Sequence, residues 1–94
     1  MKLRFYEDPE TGQPHIHGHA VTESEVEEVL ARSLEDRAGA EGSRVALGQT
    51  ASGRYVRVVY VPDPEPESAF VVTAHDLGPK SKKALQRRRR KKSK

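Results

Sequence analysis

The charge pattern of the 94-residue chain limits how much of it can enter a folded core. Positions 80–94 contain ten Lys or Arg residues and no Asp or Glu, whereas positions 1–79 hold seven basic and fourteen acidic residues. The first 79 residues therefore sum to −7 and the rest to +10, a split that the overall charge of +3 hides. Because a segment of this charge density repels itself, we divide the chain into a folded domain, 1–79, and a basic tail, 80–94, that is helical or disordered.

Size and composition restrict the domain further. A chain this short buries only roughly 60% of its unfolded surface, so we expect modest stability. The chain has no cysteine, which excludes disulfides and thiolate metal sites and favours a reducing compartment. No apolar run approaches the ~18 residues of a membrane span, and the strand-like, acidic residues 1–9 do not resemble a signal peptide. We therefore expect a cytoplasmic protein with no membrane segment.

The first half of the chain predicts one strand and one helix. Residues 2–6 alternate polar and apolar side chains, as a short strand does. Asp, Pro and Gly residues then break the backbone between positions 8 and 14. Thr22 and Glu25 have the spacing of a capping box, and an apolar stripe follows them, so a helix is predicted from Thr22 to about Leu34.

The second half predicts three strands and a second helix. The strands are placed at 44–48, 54–61 and 70–74. The link 49–53 is rich in turn residues and suits a hairpin, and the β-branched run 56–61 is typical of a central strand. Pro79 can begin a helix that includes Leu85, while 87–94 has no apolar residue and is predicted to be disordered until bound. The order β-α-β-β-β-α indicates an α+β domain with an antiparallel sheet and a basic C-terminal tail.

Three histidines alternate at His15, His17 and His19, and in an extended segment all three would point the same way. Their spacing matches no recognised zinc pattern, and histidines in loops are usually solvated. We therefore expect no metal and no other cofactor. His19 is the most interesting of the three because it lies just before the predicted helix; packing or capping at that junction is the alternative reading.

A second group of candidates lies at the strand ends. Arg54 and Arg57 belong to the predicted central strand and fall on opposite faces by the period of two. His75 and Asp76 end the last strand, where neighbouring strand ends can bring them close to either arginine. Such a group could cleave RNA without a metal: a histidine removes the 2′-hydroxyl proton, cations stabilise the phosphorane, and an acid protonates the leaving oxygen. Exposed Arg and His residues without any catalytic role are the commoner case.

The basic tail predicts contacts with a polyanion. Nucleic acid is the commonest partner for such a run, and its affinity falls steeply with salt because counterions are released. The candidate binding residues are Lys80, Lys82, Lys83, Arg87, Arg88, Arg89, Arg90, Lys91 and Lys92, followed by Lys94.

Several short motifs are similar to those of BrnT-type toxins, small RelE-like ribonucleases. The stretch HIHGHAVT at 15–22, followed by EVEEVL at 25–30, resembles the segment that leads into the first helix of that family. GQT, GR, VVY and VVTA, which begin at positions 48, 53, 58 and 71, resemble its strands, and FYEDP at 5–9 is a looser match. The likeness covers most of positions 5–76.

The resemblance implies a RelE-like fold and a cytoplasmic ribonuclease that a small DNA-binding antitoxin neutralises, the pair repressing its own operon. By position, His19 matches the family histidine, Arg54 matches the arginine of its Gly-Arg motif, and His75 stands where the family has an arginine. Ala20 replaces the usual glycine. The resemblance also adds Lys80 and Lys83 to the catalytic candidates.

Three functional hypotheses stand together at this point. The first is a toxin-like endoribonuclease of a type II toxin–antitoxin system, divergent or inactive, whose catalytic candidates are His19, Arg54, Arg57 and His75. The second is a non-catalytic nucleic-acid-binding protein that acts through its tail. The third is a protein-interaction module whose tail binds an acidic partner such as an antitoxin. RNA and a small antitoxin encoded nearby are thus the expected partners.

Overall fold

A computed structural model describes residues 2–92, with side chains described as far as Arg90. Two short 3₁₀ helices, His15–His19 and Ala40–Gly42, accompany five strands and two α-helices. The larger elements are β1 (Lys2–Phe5), α1 (Glu23–Ala31), β2 (Glu35–Ala38), β3 (Arg44–Gln49), β4 (Tyr55–Pro62), β5 (Ser68–Asp76) and α2 (Pro79–Lys92).

The strands form a single sheet in the order β1-β5-β4-β3-β2. β1 pairs with β5 in parallel, and every other neighbouring pair is antiparallel. The predicted α+β class and the central position of β4 are confirmed. The sheet was predicted to be antiparallel, and it is so except for the parallel pairing of β1 with β5. The predicted hairpin also forms, since the Thr50 amide donates to the Arg54 carbonyl at 2.8 Å between β3 and β4.

The sequence interpretation missed β2 and extended α1 too far. α1 ends at Ala31, and the Leu34 amide donates to the Leu47 carbonyl at 2.8 Å, which brings the chain alongside β3. The four residues of β2, Glu-Asp-Arg-Ala, have weak strand propensity. They form an edge strand because tertiary contacts hold them: Asp36 accepts hydrogen bonds from the Tyr60 hydroxyl and from Arg44 Nε.

The main core lies on one side of the sheet, beneath α1 and the first 3₁₀ helix. Its buried members are Ile16, Val21, Val26, Val29, Ala46, Val56, Val58, Val71 and Ala74. The predicted capping box is present, with the Glu25 amide 3.1 Å from Thr22 Oγ1 and the Thr22 amide 3.0 Å from Glu25 Oε1. α1 approaches β3 so closely that a Cβ on Gly48 would lie 3.1 Å from Val29 Cγ1.

The helix α2 packs on the opposite side of the sheet. Leu85 is fully buried there, and the Lys82 ammonium lies 5.0 Å from the centre of the Tyr55 ring. Arg88 donates twice to the Glu35 carboxylate, at 2.6 and 2.9 Å. These contacts attach the helix to β2 and β4.

The prediction of disorder beyond Gln86 is wrong for residues 87–92, which continue α2. The physical reason is that carboxylate and carbonyl oxygens of the domain compensate part of the charge. Arg88 binds Glu35, and Arg89 Nη1 lies 3.3 Å from the Leu34 carbonyl oxygen. Lys94 and the side chains of Lys91 and Lys92 lie outside the described part. Within residues 2–92, no helix combines the length and the apolar character that a membrane crossing needs.

Leu85 supplies the fully buried apolar side chain of α2, so Leu85→Ala should weaken its attachment to the sheet. We expect a loss of about 2–4 kcal/mol in the free energy of unfolding, measured by urea denaturation. Detachment should also speed tryptic cleavage at Lys82 and Lys83. Arg87→Ala is the matched control, because Arg87 is exposed. Unchanged unfolding and proteolysis in the Leu85 variant would show that α2 does not pack on the sheet.

Candidate functional site

The first 3₁₀ helix carries the histidine motif and is fixed at both ends. Its first amide, that of His15, donates to the Tyr6 carbonyl at 2.8 Å, and Ile16 is buried in the main core. At its C-terminal end, Ala20 adopts the left-handed conformation with φ of 57°, which is unfavourable for a residue other than glycine. The segment is helical, not extended, so the three imidazoles do not point the same way.

Two of these histidines join His75 in one cluster. The Nε2 atoms of His15 and His19 lie 3.3 Å apart, and the ring centres of His19 and His75 are separated by 5.8 Å. Tyr6 extends the row, with its ring centre 6.0 Å from that of His15. We call His15, His19 and His75 the histidine cluster. His17 is outside it, since its Nε2 lies 2.6 Å from Glu23 Oε1 and lowers the pKa of that carboxyl.

Arg54 holds the segments around this cluster together. Its Nε donates to Asp76 Oδ1 at 2.5 Å, and its Nη1 donates to the Ala20 carbonyl at 2.7 Å and to Glu25 Oε1 at 3.0 Å. Nη2 lies 3.4 Å from the His19 carbonyl oxygen. The guanidinium thus joins the end of the 3₁₀ helix, the start of α1 and the end of β5.

The ionisation of these groups reflects the same contacts. The hydrogen bond from Arg54 lowers the pKa of Asp76 below its ordinary value of 3.8. The pKa of Glu25 falls below 4.5 chiefly because its carboxylate accepts the Thr22 amide, with a further contribution from Arg54. The carboxylates in turn raise the pKa of Arg54. All three side chains are therefore charged at neutral pH.

The structure separates the four catalytic candidates. His19 and His75 are in contact, whereas Arg54 has its donors engaged by the protein and is better placed to position His19 than to bind a phosphate. Arg57 pairs with His75 in the β4–β5 register, but its side chain lines a cleft of about 510 Å³ beneath α2. Arg54 and Arg57 therefore lie on opposite sides of the sheet, as predicted.

Sequence reasoning missed two features of this site. Glu25 was interpreted only as a capping residue, yet it also binds Arg54, and His15 was expected to be solvated. His15 and His19 are four residues apart, whereas residues three apart eclipse one another in a 3₁₀ helix. The spacing alone therefore does not predict their contact, and the Gly and Pro residues around them favoured a loop.

The basic residues of α2 have different surroundings. Lys82, Arg88 and Arg89 contact the domain through Tyr55, Glu35 and the Leu34 carbonyl, respectively. Lys80, Lys83 and Arg87 are exposed, and no carboxylate of the described residues lies within 4.0 Å of their charged groups. Their spacing of three and four residues places them on one face of the helix, opposite Leu85. We call these three residues the outer basic stripe.

Comparison with known proteins found nothing similar enough to count as a match, whether among family models, curated proteins or solved structures.

Replacement of Arg54 tests the network through the pH dependence of stability. Carboxyls whose pKa is lower in the folded state bind more protons when unfolded, so they stabilise the fold above their ordinary pKa values. That stabilisation disappears as the pH falls through the folded values. Arg54→Met should lower the free energy of unfolding by about 1–3 kcal/mol at pH 7. It should also make the fall of that free energy between pH 5 and pH 2 shallower. Both are measured by urea denaturation.

Arg32→Met is the control for the change of charge, because Arg32 is exposed at the end of α1. It should keep the acid dependence of the original protein. If the Arg54 variant shows that same dependence, the ion pairs with Glu25 and Asp76 do not contribute to stability.

Proposed function

We propose that the protein binds the phosphate backbone of RNA through the outer basic stripe of α2. The observation that carries this proposal is that Lys80, Lys83 and Arg87 are exposed on one helix face, while no described carboxylate neutralises them. Phosphate groups are the commonest partners of such a surface, and releasing their counterions supplies the free energy of binding.

The placement of the acidic residues supports the same surface. Four of the fourteen carboxylates of the domain, those of Glu23, Glu25, Glu27 and Glu28, lie on α1, which covers the side of the sheet opposite α2. The cleft beneath α2 is lined by Arg37, Arg57 and Arg88. The four glutamates of α1 therefore do not oppose RNA binding at α2, because the two helices lie on opposite sides of the sheet.

The attachment of α2 to the sheet supports binding by a folded helix. Leu85 and the Arg88–Glu35 ion pair hold the helix before RNA arrives. A preformed surface loses less conformational entropy on binding than a disordered tail does. Contacts to the backbone alone carry little sequence information, so we expect weak sequence preference.

Cleavage of the bound RNA is a second function, favoured by the contact between His19 and His75. His75 Nδ1 lies 3.0 Å from the Asp76 carbonyl oxygen, which can only accept, so Nδ1 carries the proton and Nε2 of the neutral ring has a lone pair. Nε2 can therefore remove the 2′-hydroxyl proton. The 2′-oxygen attacks phosphorus, the bond from phosphorus to the 5′-oxygen breaks, and His19 protonates that oxygen. The products are a 2′,3′-cyclic phosphate and a 5′-hydroxyl.

Lys80 is the cation that best fits this reaction. Three residues lie between His75 and Pro79 at the start of α2, so their Cα atoms are at most ~14 Å apart. Lys80 and the rest of the stripe can therefore hold a strand whose scissile phosphate reaches the histidine cluster. The proposal includes the RelE-like fold and the toxin role implied by the BrnT-like motifs at 15–22 and 53–54. A toxin of this kind would arrest growth when expressed and would be relieved by a neighbouring antitoxin.

RNA binding is tested by neutralising two residues of the stripe. Lys83→Gln/Arg87→Gln should weaken binding to a fluorescent single-stranded oligouridylate, measured by anisotropy. The slope of log K against log salt should fall by about 1.4, because each single-strand phosphate contact contributes ~0.7.

The control is Lys2→Gln/Arg32→Gln, which removes the same charge at two exposed positions outside α2. It should leave the slope unchanged. An equal effect of both double variants would mean that binding depends on net charge alone, and the stripe would lose its assignment.

RNA cleavage is tested in the histidine cluster. His19→Gln and His75→Gln should each abolish the appearance of 2′,3′-cyclic phosphate ends while anisotropy shows unchanged RNA affinity. His17→Gln should retain cleavage, since His17 lies outside the cluster and binds Glu23. Cleavage that survives in both cluster variants would contradict the mechanism; RNA binding without any cleavage by the original protein would leave the binding function alone.

A further inference from the structure

We infer that His15 and His19 form a binding site for a divalent transition-metal ion of the Zn²⁺ class, with His75 as the third ligand. The site is new relative to the proposed RNA functions and does not rest on them. Its first two ligands are the Nε2 atoms of His15 and His19, which lie 3.3 Å apart.

That separation fits tetrahedral coordination. Zn–N bonds of about 2.0–2.1 Å meeting at a tetrahedral angle place two ligand nitrogens roughly 3.3–3.4 Å apart. The same distance is long for a hydrogen bond, for which ~2.7–3.2 Å is usual with a nitrogen donor. A metal ion between the two rings would bind the lone pairs of both Nε2 atoms. A hydrogen bond between the rings instead requires one Nε2 to carry a proton, which leaves that nitrogen without a lone pair.

The backbone holds the two ligands in this arrangement. His15 is fixed by the bond from its amide to Tyr6, and buried Ile16 anchors the turn between the ligands. At the other end, Arg54 binds the carbonyls of His19 and Ala20. Preorganised ligands lose little entropy when the ion enters.

His75 has the hydrogen bond that a metal-binding histidine normally makes with its second nitrogen. Its Nδ1–H donates to the Asp76 carbonyl at 3.0 Å, which fixes the tautomer and leaves Nε2 for the metal. Among residues 2–92, no three donors are yet close enough to hold an ion together. His75 must therefore turn toward the His15–His19 pair on binding, a short movement for a ring whose centre is 5.8 Å from that of His19.

Three histidines leave the fourth tetrahedral position for water, as in an open zinc site. Because the third ligand has to move, we expect micromolar and not nanomolar affinity. Occupancy would also take the lone pair of His75 that RNA cleavage requires, so Zn²⁺ should inhibit that reaction if it occurs.

The test is isothermal titration of the full chain with ZnCl₂ at pH 7.5. We expect one ion per chain, with affinity reduced at least tenfold in His15→Ala, in His19→Ala and in His75→Ala. His17→Ala is the matched control, because it removes a histidine from the same 3₁₀ helix without touching the cluster; its affinity should stay within twofold.

A second measurement separates loss of a ligand from loss of the fold. Two-dimensional NMR spectra of each variant should retain the pattern of the folded protein, and Zn²⁺ should shift the imidazole signals of His15, His19 and His75 but not those of His17. Absence of stoichiometric binding, or an equal loss in the His17 variant, would overturn the site. Unchanged affinity in His75→Ala would overturn the three-histidine assignment.

Discussion

The five-stranded sheet separates the four glutamates of α1 from the basic residues of α2. Successive side chains of a strand point to opposite faces of the sheet. On β4, one set of side chains therefore faces α1 and the other set faces α2. α1 contains four glutamates, and α2 contains nine basic residues and no acidic ones. The glutamates of α1 and the basic residues of α2 thereby lie on opposite sides of the sheet. The RNA binding that we propose for α2 depends on that separation.

The guanidinium of Arg54 organises the residues at the edge of this sheet. It connects the first 3₁₀ helix, the start of α1 and the end of β5, three segments that are distant in the sequence. Their meeting point brings His15 and His19 next to His75. The sequence suggests that Arg54 binds a phosphate, whereas in the structure Arg54 positions the residues around it. The imidazoles of the histidine cluster are then available for the proposed proton transfer or for the proposed metal ion.

Local signals in the sequence predicted much of the fold. The capping box of Thr22 and Glu25 and the β-branched run of β4 depend on neighbouring residues, and both were predicted correctly. β2 could not be predicted, because Glu35–Ala38 forms a strand only through its pairing with β3 and the contacts of Asp36. The helical state of residues 87–92 depends on Glu35 and Leu34, more than fifty positions away. The cluster of His15 and His19 likewise required knowledge that the segment 15–19 is helical.

The separation of charge between the two sides is tested most directly by NMR titration of the labelled protein with short single-stranded RNA at low and high salt. The account predicts that the largest amide shifts at low salt occur in α2, around Lys83 and Arg87, and near His75. It predicts no comparable shifts in α1 and a loss of all of them at high salt. Shifts centred on α1, or shifts that persist unchanged at high salt, would contradict it.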